Sequence, residues 1–143
     1  MAATLYNAEI LRLATEIPHQ ERLDAPHVTI EKRSPVCGSR VIVDVRMDGD
    51  GRVAALGLEV RACALGQASA ALMARHAVGK RADELADARD ALTGFLSGAR
   101  ADPGPWPGLE IFAPAIPHKA RHASIRLAFE AVADAAGQAR IAA

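Results

Sequence analysis

The stretch from Arg40 to Arg61 alternates apolar and polar residues on both sides of Asp48-Gly49-Asp50-Gly51, and this pattern commits it to a β-hairpin. Val41, Val43, Val45 and Met47 fall on one face of the first arm, while Ile42, Asp44 and Arg46 fall on the other. Asp and Gly in the middle tolerate the backbone angles of a tight turn. The return arm sets Ala54, Leu56, Leu58 and Val60 against Val53, Ala55, Gly57 and Glu59, giving one strongly apolar face and one mixed face. Such a ribbon calls for helices on its apolar side.

Elsewhere the period is helical. Tyr6, Ile10, Leu13 and Ile17 form one stripe and predict a helix from residue 5 to residue 16, ended by Pro18. His19 to Pro26 is polar and turn-like, and Val28 and Ile30 alternating with Thr29 and Glu31 predict a short strand. Small residues dominate from Ala64 to Val78, so the helix predicted there can approach a sheet closely before Gly79 ends it. A further helix over 83–96 is marked by Leu85, Ala88, Leu92 and Phe95, with Gly98 just past its end. Residues 99–119 carry five of the eight prolines and read as a loop with one short turn around Leu109 to Phe112; Trp106 and Phe112 are expected to form a satellite core beneath it. Ile125, Ala128, Phe129, Val132 and Ala136 mark the last helix. The expected fold class is α+β, a small antiparallel sheet of about three strands with helices packed mainly on one face, in a single domain over 1–143.

Composition narrows the function. Lys plus Arg total 17 and Asp plus Glu total 17, so there is no general field for phosphate backbones, and 3% aromatic residues supply no stacking platform. Nucleic acid is not an expected partner. No run of 18 apolar residues occurs, and Glu9, Arg12 and Glu16 interrupt the apolar pattern of the start, so no membrane span or secretory signal is expected and the cytoplasm is the expected compartment. Neither a phosphate-cradling glycine loop nor a nucleophile elbow is present, so the chain is not expected to be an enzyme.

Two cysteines remain. Cys37 precedes the first hairpin arm and Cys63 follows the second, so a turn near residue 50 sets them roughly opposite each other at one end of the sheet. Cys63 also falls at the start of a predicted helix, where exposed N–H groups favour an anion. In a reducing compartment such thiols suit metal, sulfur or redox chemistry better than a disulfide, while two small buried hydrophobes are the plain structural alternative.

Pro35-Val36-Cys37-Gly38, Ala62-Cys63-Ala64 running into Ala68-Ser69-Ala70, and Leu127-Ala128 in the last helix resemble, in this order and spacing, the iron-sulfur cluster scaffold family of IscU, SufU and the NifU N-terminal domain. Leu5-Tyr6, Ile10, Leu11 and Ile17-Pro18-His19 resemble the first helix of that family. The Pro-rich insertion after Gly98, with Arg121 where an arginine precedes the third cysteine, resembles the SufU branch.

The resemblance implies a SufE/IscU-like fold and an exposed site of three cysteines with an aspartate or histidine, which holds Zn or a nascent [2Fe-2S] cluster or accepts sulfur from a cysteine desulfurase of the SufS/IscS kind. Two positions depart from it. Ser39 stands where the family has its aspartate, and Ser124 stands where it has its third cysteine, preceded by Ala123 in place of a histidine. Hydroxyls are poor substitutes for carboxylate and thiolate at zinc or iron. With His118 and His122 nearby, the expected ligand set for metal and cofactor is Cys37, Cys63 and His122, with Ser39, Ser124 and Arg121 as neighbours. Ser124, directly before the apolar stripe, also reads as a helix N-cap, and Ser39 as a hairpin-edge hydroxyl. The expected function is cluster assembly in a bacterial cytoplasm, through metal binding or sulfur acceptance at Cys37 and Cys63. The alternative is a degenerate scaffold-fold interaction protein that binds an assembly partner and holds no metal or cluster.

Overall fold

The computed structural model describes residues 5–35 and 38–142. The hairpin forms from β2 (Arg40–Met47) and β3 (Val53–Arg61), paired antiparallel from Arg40 with Arg61 to Arg46 with Ala55, with a bulge at Arg46/Met47. Its turn is tied by Asp48, whose Oδ1 accepts the N–H groups of Asp50 at 2.8 Å and Arg52 at 3.0 Å. Gly51 takes the left-handed φ of +78° that the turn requires. β1 (Val28–Arg33) adds to the other side of β2, Val28 opposite Val45 and Arg33 opposite Arg40, completing a sheet of order β1-β2-β3.

The helices are α1 (Ala8–Ala14), α2 (Ala64–His76), α3 (Ala82–Ser97) and α4 (His122–Ala142). α4 packs across β1 and β2 with α2 beside it; α1 lies against α2, and α3 lies against α4. Val41, Val43, Val45 and Leu58 point into this layer and are almost fully buried, each contributing roughly 1.5–3 kcal/mol of apolar burial. Both central helices are covered nearly all round, which only small residues permit: Ala68, Ala70 and Ala71 of α2 and Ala128, Ala131, Ala135 and Ala136 of α4 are almost entirely inaccessible. The α+β class and the one-sided helical layer match the expectation.

α1 is shorter than the predicted 5–16. Asn7 Oδ1 caps its start by accepting the Ile10 N–H at 3.0 Å, and Thr15 closes its end, so Tyr6 and Ile17 lie outside the helix. Gly98, at φ 83°, ends α3 as predicted.

The outer face of the sheet is covered too, by residues 19–27. Asp44, with no side-chain exposure, projects from the middle of β2 on that side and receives Arg22 Nε at 2.6 Å, Arg22 Nη2 at 3.1 Å, the Leu23 N–H at 3.0 Å and Thr29 Oγ1 at 2.5 Å. Burial pushes this carboxyl up, but the hydrogen bonds from Arg22, Thr29 and Leu23 outweigh it and hold Asp44 below the usual carboxylate range. Opposite Asp44 is Gly57, where a Cβ would come within 2.6 Å of the Glu21 carbonyl oxygen. His19 O accepts the Leu58 N–H at 2.9 Å, fastening the segment to the edge of β3.

The Pro-rich stretch contains 3-10 helices at Leu109–Ala115 and Lys119–Arg121. Trp106 and Phe112 are buried as expected, but in the main core and not in a satellite. The Trp106 Nε1–H donates to Leu72 O at 2.9 Å, and its ring meets Phe129 edge-on at 5.3 Å. No helix among the described residues is long and apolar enough to cross a membrane.

Candidate functional site

Three chain segments converge where the hairpin hands over to α2. Cys63 is the N-cap residue of α2, in extended conformation, its carbonyl accepting the Gln67 N–H at 2.9 Å. Its thiol is free and half-buried, resting against the core edge, and makes no capping bond. One turn on, Gly66 permits contact with α4: a Cβ there would lie 3.3 Å from the Ser124 carbonyl oxygen. Ser69 Oγ then donates to Ile125 O at 2.5 Å, locking the first turn of α4 onto α2.

The entry to β2 joins them through Ser39, whose Oγ lies 2.7 Å from Ser124 Oγ. Both serines are buried, at 2% and 1% exposure. Ser39 sits at the hairpin edge as expected, but its hydroxyl is buried against Ser124; Ser124 is not an N-cap, because α4 begins two residues earlier at His122. The signal available in the sequence was that both departures from the family pattern arrive at the same small hydroxyl, which suits a pair.

His122 is buried at the head of α4, with Nε2 2.9 Å from Ala115 O and 3.0 Å from Ile116 O. Carbonyl oxygens only accept, so this geometry assigns the proton to Nε2 and leaves Nδ1 as the atom through which the ring would ligate. Arg121 is half-exposed at the end of the second 3-10 turn, its N–H bonded to His118 O at 2.9 Å, and His118 is exposed. Cys37 lies outside the described residues. Among the described residues, no three His, Cys, Asp or Glu side chains gather into a metal-holding group. The structure thus brings together Ser39, Ser124 and the start of α2, in the places where the resemblance sets its ligands, with hydroxyls at two of them.

A three-stranded antiparallel meander backed by helices, with a cysteine at the start of the first helix after the hairpin, defines a small α+β domain of the kind the resemblance implies. No protein-family model matches the chain, and no curated protein matches it. Solved structures do. A nitrogen-fixing NifU-like protein (N-terminal) from Brucella abortus shares 41% sequence identity and superposes with a TM-score of 0.87, over 97% of this chain and 96% of that one. FiSufU from thermophilic Fervidobacterium islandicum, whose name assigns it to iron-sulfur cluster assembly for the SUF system, shares the fold at 19% identity with a TM-score of 0.85, over 92% of this chain and 96% of that one. The chain belongs to the IscU/SufU/NifU scaffold family.

Proposed function

We propose that this protein serves iron-sulfur cluster assembly in the cytoplasm as a thiol acceptor, taking sulfur from a cysteine desulfurase on Cys63 or Cys37. What supports this most is the half-exposed thiol of Cys63 at the N-cap of α2, which makes no capping bond, in a fold shared at 41% identity with a NifU-like domain. In the transfer step the acceptor thiolate attacks the terminal sulfur of the donor persulfide. The donor S–S bond breaks, a new S–S bond forms on the acceptor, and the released donor thiolate takes up a proton, with no net oxidation. The same thiols, with His122 approaching through Nδ1, would hold Zn or a nascent [2Fe-2S] cluster as cargo. Because the sites of the family aspartate and third cysteine carry hydroxyls, that hold is weaker than in a full ligand set.

The test is intact-mass spectrometry after incubation with a cysteine desulfurase and cysteine. A gain of one sulfur on the wild type, lost in the Cys63→Ala or Cys37→Ala variant that removes the acceptor, is expected; no gain on the wild type ends the acceptor reading. The Ser39–Ser124 pair favours a second reading, in which the fold binds an assembly partner without carrying sulfur or metal. Its mark would be complex formation with a desulfurase by a metal-free chain that gains no sulfur.

A further inference from the structure

We propose an oxyanion-binding site in the pocket between the end of α3 and the first turn of α4. The pocket, of about 430 Å³, is lined by Ser97, Lys119, Ala120, His122, Ala123 and Arg126. Among the described residues two cationic side chains line it and no carboxylate does, in a chain whose formal net charge is zero. Arg126 carries the stronger indication: its Nε is buried and has no hydrogen-bond partner among the described residues. Glu130, one turn on, forms an ion pair with Arg126 at 3.8 Å from Nε, outside hydrogen-bond reach, and the rest of the Arg126 side chain is partly exposed. A buried guanidinium N–H left in this way is costly unless something accepts from it, and the planar fork of arginine matches two oxygens of one anion. Lys119, exposed at the rim, adds a second charge on a flexible stem, and the Ser97 hydroxyl, which donates to Gly94 O at 3.1 Å, retains lone pairs but brings no negative charge.

The chemistry recognised is that of a small oxyanion, either a phosphate or a carboxylate group. It is independent of the sulfur-acceptor reading, since it uses neither cysteine. The experiment is a titration of the full chain with inorganic phosphate, and separately with succinate, at constant ionic strength set by chloride. Backbone amides and the Arg126 Nε–H are followed by NMR. The expected result is a saturable shift confined to Ser97, Lys119, His122, Ala123 and Arg126 with at least one of the two probes. Arg126→Gln is expected to weaken it at least about tenfold, while Arg140→Gln, on the far part of α4, leaves it unchanged. Saturation by phosphate alone identifies phosphate chemistry, and saturation by succinate identifies carboxylate chemistry. Shifts that never saturate with either probe, or that persist in an Arg126→Gln protein whose amide spectrum is otherwise native, overturn the proposal.

Discussion

Ser39 Oγ and Ser124 Oγ lie 2.7 Å apart although 85 residues separate them in the chain, and this buried contact ties the entry of β2 to the first turn of α4. It occupies the positions where the family resemblance calls for a carboxylate and a thiolate. Replacing both, Ser39→Asp with Ser124→Cys, restores hard and soft anionic ligands at those positions and is expected to raise zinc content on purification to near-stoichiometric, read by elemental analysis against the wild type. Ser124→Ala removes the buried hydrogen bond to Ser39 and is expected to cost at least about 1 kcal/mol in denaturant unfolding.

Arg22 holds the buried Asp44 carboxylate over the outer face of the sheet. Arg22→Ala leaves that charge without its counter-ion and is expected to destabilise by about 2–3 kcal/mol, short of a fully buried pair because Arg22 is itself half-exposed. Asp44 titrates below its ordinary range when folded, so its contribution is complete above the unfolded value and is lost as pH falls through the folded one. Asp44→Asn is therefore expected to flatten the acid limb of stability against pH, measured by urea unfolding from neutral pH downward.

Gly57→Ala would drive a methyl group to 2.6 Å from the Glu21 carbonyl and 2.9 Å from the Leu23 nitrogen, both backbone atoms that cannot swing aside. Overpacking of this kind is expected to cost about 1–3 kcal/mol. Faster hydrogen exchange should be concentrated at Leu23 and Leu58, whose amides the covering segment engages.

His122 secures the end of the Pro-rich stretch by engaging the carbonyls of Ala115 and Ile116. His122→Ala is expected to lower stability by about 1–3 kcal/mol, with faster amide exchange at His118 and Arg121. Bound zinc should fall in the same variant if Nδ1 is a ligand, and stay constant if the ring serves the backbone alone.

The sheet and its helices were legible because burial imposes its own period: Val41, Val43 and Val45 alternate, and the stripe of Ile125, Phe129 and Val132 repeats helically. The role of Asp44 was not. On a strand, a carboxylate between Ile42 and Arg46 reads as a solvent-facing residue, and its partner Arg22 sits in a polar segment with no period at all. The N-cap reading of Ser124 failed because α4 begins at His122, directly after a 3-10 turn that leaves no break in the sequence pattern. In the site, Cys63 at a helix start was readable from the switch of period, but the contact between Ser39 and Ser124 belongs to tertiary packing, and only the shared hydroxyl at both departures from the family pattern pointed to it.

Trp106 is the single tryptophan of the chain, and the Pro-rich stretch wedges it between Phe129 and His76 with Lys80 Nζ 5.5 Å from the ring centre. The molecule therefore carries a built-in optical gauge whose emission colour depends on whether that stretch stays seated. A visitor that pries it loose would announce itself by reddened fluorescence, with no label attached.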